Sequence, residues 1–188
     1  MAHRFPEQER ARLRDERRHR IQPAEEIMAR MALRPGETVI DLGSGTGYLA
    51  VPMAHRTARV LALDAQRKML ETMRSTDPNV VNIFPVLAEI PPLPLTNASF
   101  DRAVFINVLH EINEKDLLVR ELERTLKEGG RVSIVDFPRR ETSSGPPVSE
   151  RIGPEAVVEL FKGFHVVGRW DLNEYYQLEL EKDWAHRQ

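Results

Sequence analysis

Cysteine is missing from all 188 residues. Its absence removes disulfides, thiolate metal sites and cysteine nucleophiles, together with any substrate that must be held on protein thiols. Long apolar runs are missing too: none approaches the roughly 20 residues a membrane span needs. Residues 1–20 are polar and arginine-rich, unlike a secretory leader. The expectation is a cytoplasmic protein with no membrane partner. Aromatics are sparse at 6%, and the formal net charge of -2 argues against nucleic acid as a partner. What is present is a globular balance, 41% hydrophobic and 30% charged, in a chain that suits one domain with no separate substrate domain. Any site must then be built from one sheet and its loops.

Residues 1–22 read as an arm, charged along its length and expected to be solvated or frayed. A single domain is expected over 23–188. Ile27, Met28, Met31 and Leu33 recur at helical spacing between Pro23 and Pro35-Gly36. Short apolar runs then predict strands at 38–42, 59–64, 81–87, 102–107 and 131–136. Helical stretches separate them, at 48–55, around Met69 to Met73, and at 116–127, where Leu117, Leu118, Leu122 and Leu126 make a packed face. Gly129-Gly130 reads as the stop of that last helix. Such alternation predicts an α/β fold, a doubly wound and mostly parallel sheet with helices on both faces. A helix at 154–161 and strands near 165–170 and 175–181 follow the loop at 138–149; their short connection suggests a hairpin, hence an antiparallel strand at that edge. Trp170, Tyr175 and Tyr176 are expected to pack in the core.

The strongest signal is Val39-Ile40-Asp41-Leu42-Gly43-Ser44-Gly45-Thr46-Gly47, a strand turning through three alternate glycines into a helix. Glycine is expected there so that a ligand can approach the backbone. A dinucleotide fingerprint wants glycine three residues after Gly45, where Tyr48 stands, and no phosphate-loop lysine is near. Asp41 is suited to a cationic amino group and not to a polyphosphate. Asp64 ends the second strand, where nucleotide binders present a carboxylate to ribose hydroxyls; the alternative role is a cap for the helix after Ala65.

Strand, D-x-G-x-G-x-G, then an acid ending the second strand resembles the class I S-adenosylmethionine (SAM)-dependent methyltransferase superfamily. The likeness continues through Ala88-Glu89, Leu93-Pro94-Leu95-Thr96-Asn97-Ala98-Ser99-Phe100-Asp101, Val108-Leu109-His110-Glu111-Ile112 and Leu122-x-Arg124-x-Leu126-Lys127-x-Gly129-Gly130. These stretches are similar to the subgroup of ubiquinone/menaquinone-type C-methyltransferases. The resemblance implies a Rossmann-like, seven-stranded sheet of order 3-2-1-4-5-7-6. It implies SAM as cofactor and S-adenosylhomocysteine (SAH) as product. Asp41, Gly43, Ser44, Gly45, Thr46, Gly47, Asp64, Ala65, Ala88, Glu89 and Asn107 are the implied cofactor-binding residues, with Glu89, in place of the usual Asp, at the adenine amino group. His3-Arg4-Phe5 and the Asp15-Glu16-Arg17-Arg18 run resemble a subset of small bacterial and archaeal methyltransferases. That likeness implies an arm folding over the cofactor as a lid, with His3, Phe5 and Arg17 in contact, and an acceptor pocket bordered by Gly145-Pro146-Pro147.

His110, just past the fourth strand, is the residue nominated as base or acceptor positioner; packing at a helix start is the alternative. His110-Glu111-Ile112-Asn113-Glu114 ends in Glu and so departs from the zinc motif H-E-x-x-H, and no metal is expected. Asn107-Val108-Leu109-His110 is not the tetrad of DNA amino-methyltransferases, and the lack of cysteine argues against arsenite, so a small-molecule acceptor is favoured. Monomer and homodimer both stay open. A SAM-binding module without turnover, or a dinucleotide-dependent oxidoreductase, is the rival function.

Overall fold

A computed structural model describes residues 16–184. Its element order is α1 (Glu16–Ile21), α2 (Ala24–Met31), β1 (Thr38–Leu42), α3 (Ala50–Ala54), β2 (Arg59–Asp64), α4 (Arg67–Arg74), β3 (Ile83–Leu87), β4 (Phe100–Ile106), α5 (Lys115–Thr125), β5 (Leu126–Asp136), α6 (Pro154–Leu160), β6 (Phe164–Asp171) and β7 (Tyr176–Lys182). The seven strands form one sheet in the order β3-β2-β1-β4-β5-β7-β6. β1 to β5 pair in parallel. β7 runs against both β5 and β6, so the hairpin folds its second strand inward and leaves β6 at the edge.

The period-2 alternation of buried strands divides the core in two. Ile40, Leu42, Ala103, Phe105, Val132 and Ile134 face α5 and α6, meeting Leu118, Leu122, Val157 and Phe161. Val39, Val60, Val104, Ile106 and Val135 face the other way, toward Ile27 and Met31 of α2, Met53 of α3 and Met73 of α4. Tyr175 and Tyr176 are buried, and Trp170 is half-buried beneath the guanidinium of Arg30, 5.7 Å from the ring centroid. Among the described residues no helix is long and apolar enough to cross a membrane.

Two local readings are corrected. α5 stops at Thr125, capped by an extended Leu126, so Gly129-Gly130 does not end it. The chain passes straight into β5, whose pairing with β4 jumps from Phe100 and Leu126 to Arg102 and Arg131. Gly129, at φ 68°, sits in the resulting bulge, and a Cβ on Gly130 would come within 2.8 Å of the Lys127 carbonyl oxygen. The helix after the glycine turn is also shorter than its apolar pattern suggests, only Ala50–Ala54.

Gly43 at the end of β1 has φ 74°, and a Cβ there would lie 2.5 Å from Cγ2 of Val108. Its glycine is demanded by the chain itself, by backbone conformation and by the approach of the β4 loop, and not by a ligand alone. Gly43→Ala is therefore expected to lower unfolding stability by about 2 kcal/mol or more. Denaturant titration measures it. Adding Val108→Ala should recover part of the loss, since the clash goes and the backbone strain stays.

Candidate active site

Parallel strands end together, and the loops that follow β1, β2, β3, β4 and β5 surround a cavity of about 690 Å³. Gly43, Ser44 and Gly45 come from the first loop, Asp64 and Ala65 from the second, Glu89 from the third, Asn107 and His110 from the fourth. Arg17, Arg18 and Gln22 close it from the arm, and Phe137 with Ser144, Gly145 and Pro146 close the far side.

The glycine turn is held by its own amides. Gly43 and Ser44 both donate backbone N–H to the Leu63 carbonyl, at 2.8 and 2.9 Å. Gly45 donates to Oδ2 of Asp64 at 2.8 Å, while Oδ1 accepts the Gln66 N–H at 2.8 Å. One carboxylate thus joins the two loops. With three successive N–H groups committed to β2, the turn has no amide cradle for a polyphosphate, which needs such donors.

Asp41 lies behind this turn and is not among the residues of the cavity wall. It is fully buried in β1, and neither carboxylate oxygen closes a hydrogen bond among the described residues. Burial and the neighbouring charge of Asp64 push its pKa up to about 7, against the pull of Arg18 and the Ala50 amide. The Ser44 hydroxyl is likewise buried without a partner among the described residues. Past Gly45 the chain turns into α3, and Thr46 and Gly47 line a separate groove with Tyr48 and Val51. Ala88 stays out of the wall as well, its N–H donating to the Asp64 carbonyl at 3.1 Å.

Asn107 adopts the left-handed conformation at φ 58°, which Asn tolerates better than most residues. Its side chain pairs with that of Gln22, Nδ2 donating to Oε1 at 2.8 Å and Gln22 Nε2 donating back to Oδ1 at 3.0 Å. The Gln22 carbonyl accepts the Tyr48 hydroxyl, and Arg18 stacks 4.0 Å above the Tyr48 ring. Arg17 donates to the Ser143 carbonyl at 2.7 Å. His3 and Phe5 lie outside the described residues.

His110 faces Asp136, the last residue of β5. Its Nδ1 donates to Oδ1 at 2.7 Å, and its backbone N–H reaches Oδ2 at 3.3 Å. Phe137 N–H also donates to Oδ1, at 2.8 Å, so the buried carboxylate is held by three donors. Burial alone would lower the imidazole pKa; the hydrogen bond and charge of Asp136, with Glu111, outweigh it and raise the pKa above its ordinary value. Asp136, Gln22 and Arg151 went unnoticed in the sequence. An acid closing β5 as Asp64 closes β2 was the available signal for the first.

Arg151 organises the far wall. Only 7% exposed, it donates to the carbonyls of Pro138 (3.3 Å), Arg140 (2.6 Å), Ser144 (3.3 Å) and Pro146 (2.8 Å) and to the Thr142 hydroxyl (2.8 Å).

A family profile described as a methyltransferase domain matches residues 40–134. The chain belongs to that family. Within it, S-adenosylmethionine is the cofactor that membership implies. The ubiquinone/menaquinone biosynthesis C-methyltransferase UbiE of Shewanella frigidimarina is 32% identical over 127 residues, 64% of this chain and 48% of that protein. The chain spans about half the length of the curated relatives it matches. A SAM-dependent methyltransferase from Aquifex aeolicus superposes at a TM-score of 0.87 with 21% identity, covering 95% of this chain and all of that one. The [4+2]-cyclase SpnF superposes at 0.76 with 18% identity, covering 88% and 81%. At those identities the structural likeness establishes the fold.

Arg151→Met should free the 138–146 segment. Loss of its five hydrogen bonds, buried or part-buried, is expected to cost about 2 to 4 kcal/mol in denaturant unfolding. Hydrogen exchange should accelerate at the amides of that segment and leave β1 and β2 protected.

Proposed function

We propose that the chain transfers a methyl group from S-adenosylmethionine to a small-molecule acceptor, giving S-adenosylhomocysteine. The observation that carries this reading is the chemistry of the glycine turn, whose amides are bound to β2 while carboxylates lie behind and beside it. Such a turn suits a cation and hydroxyls. Asp64 borders the cavity, and a carboxylate has enough acceptor positions to hold two amides and also meet ribose hydroxyls. Asp41 acts from behind the turn through its charge, favouring the amino group of the cofactor. Glu89, past the end of β3, is the group for the adenine amino hydrogens. Ser44, Gly45 and Ala65 give the cofactor its bed, and Asn107 holds the arm across it through Gln22.

When bound, the cofactor supplies an electrophilic methyl on a sulfonium that leaves without acid assistance. The protein's part is alignment, an effect that reaches roughly 7 to 11 kcal/mol in well-oriented systems. Residues 16–22 support the reading of the arm as a lid, since Arg17, Arg18, Ile21 and Gln22 all border the cavity. A second reading keeps the cofactor and drops methyl transfer, because the cyclase SpnF is built on the same fold. Acceptor-dependent release of SAH separates the two.

Calorimetric titration with SAM and SAH is the direct test, and absence of binding to folded protein defeats the proposal. Asp64→Ala should weaken both ligands about 10- to 100-fold. Asp41 yields a sign that can be checked. In the free protein it stays largely protonated below its raised pKa of about 7. A cation brought to the turn lowers that pKa, so binding releases protons near pH 6 and tightens as pH rises toward 7 and above. Titrations in buffers of different ionisation enthalpy measure the release, which Asp41→Asn should abolish.

A further inference from the structure

We propose that His110 and Asp136 form a base and its positioning partner, and that the acceptor is a neutral small molecule carrying a hydroxyl of phenol or enol acidity. The inference rests on the methyltransferase reading above. The His110 side chain is 5% exposed yet borders the cavity, and its Nδ1 is committed to a fully buried carboxylate 2.7 Å away. Nε2 is then the nitrogen left to exchange a proton. Oε1 of Glu111 stands 4.0 Å from Nε2 and favours the imidazolium that forms.

Proton bookkeeping selects the acceptor. As the acceptor oxygen bonds to the methyl carbon, its O–H bond breaks and the proton passes to Nε2 of His110. The methyl–sulfur bond breaks with its electron pair remaining on sulfur, so an ether, SAH and an imidazolium result from a hydroxyl, a sulfonium and a neutral imidazole. A histidine base whose imidazolium is favoured by Asp136 is matched to a weakly acidic hydroxyl, of pKa about 10 as in tyrosine. Carboxylate and phosphate acceptors need no base; of the charged groups in the wall, Arg17 and Arg18 are engaged with the Ser143 carbonyl and the Tyr48 ring, while Glu111 and Glu114 stand on the His110 side. An ammonium beside those same carboxylates would be held protonated and without a lone pair to attack. Val108, Ile112, Phe137 and Pro146 supply apolar wall for a flat body, with the Phe137 ring edge-on to His110 at 6.1 Å.

The groups facing His110 set its titration: Asp136 from β5, Glu111 from its own turn and Lys115 from α5. Glu114 and the arm residues Arg17 and Arg18 share the cavity. Long-range ¹H–¹⁵N correlation on the intact protein reads the tautomer directly. A neutral imidazole protonated at Nδ1 is expected, with a midpoint above the ordinary histidine value that falls by about one unit in Asp136→Asn. Protonation at Nε2, or a midpoint indifferent to that substitution, overturns the pairing. para-Nitrophenol, whose phenolate is coloured, probes the acceptor class on protein saturated with SAH at about pH 6. Wild type should bind it as phenolate, with the proton on His110, and His110→Gln should bind it as neutral phenol. No binding, or the same ionisation in both, refutes the hydroxyl assignment while leaving the cofactor reading standing. Failure of SAH itself to bind removes the cofactor reading first.

Discussion

Three consecutive amides of the glycine turn are held by the end of β2, and the shape of the cavity depends on that clamp. The Leu63 carbonyl takes two of them and the Asp64 carboxylate the third. Backbone donors buried at a strand end must find acceptors, and in this chain they find them sideways in the neighbouring strand. The turn is thereby rigid before any ligand arrives, and its electrostatic character is reversed relative to a phosphate loop. Its amides face the protein, and its neighbours are acids.

The same economy recurs one strand pair away. Asp136 ends β5 as Asp64 ends β2, and each carboxylate gathers backbone N–H donors from two segments. Parallel strands bring such ends to one edge of the sheet, where ligands bind in open α/β folds. Asp64 organises the floor of the cavity and Asp136 orients an imidazole in its wall. Asp41 differs from both: it lies one residue further inside β1, without a closed hydrogen bond among the described residues, and its burial raises its pKa instead of fixing a loop.

The roof is built from pieces distant in sequence. Gln22 reaches Asn107, Arg17 reaches Ser143, and Arg151 gathers the loop that Ser143 belongs to. α1 has no buried residue of its own; the arm is held along its length by the Arg17 bond to Ser143, the stacking of Arg18 on Tyr48 and the pairing of Gln22 with Asn107.

Much of the fold was legible because it rests on local period. Alternating apolar residues marked the strands, and βα alternation implied a parallel sheet. Gly129-Gly130 misled because glycine after a lysine-bearing turn serves a helix cap and a strand bulge equally well, and only pairing with β4 distinguishes them. Of the nominated site residues, Gly43, Ser44, Gly45, Asp64, Ala65, Glu89, Asn107 and His110 border the cavity. They could be nominated because strand ends are visible in the sequence. Asp41, Thr46, Gly47 and Ala88 do not border it: Asp41 is buried behind the turn, Thr46 and Gly47 line a separate groove, and Ala88 is tied by its N–H to the Asp64 carbonyl. The partnership of His110 with Asp136 spans 26 positions, and that of Gln22 with Asn107 spans 85. By itself the sequence determined which strands exist and where their acidic and glycine ends fall. The tertiary structure alone decided which ends meet, because hydrogen bonds form over about 3 Å of space and no local pattern encodes that distance.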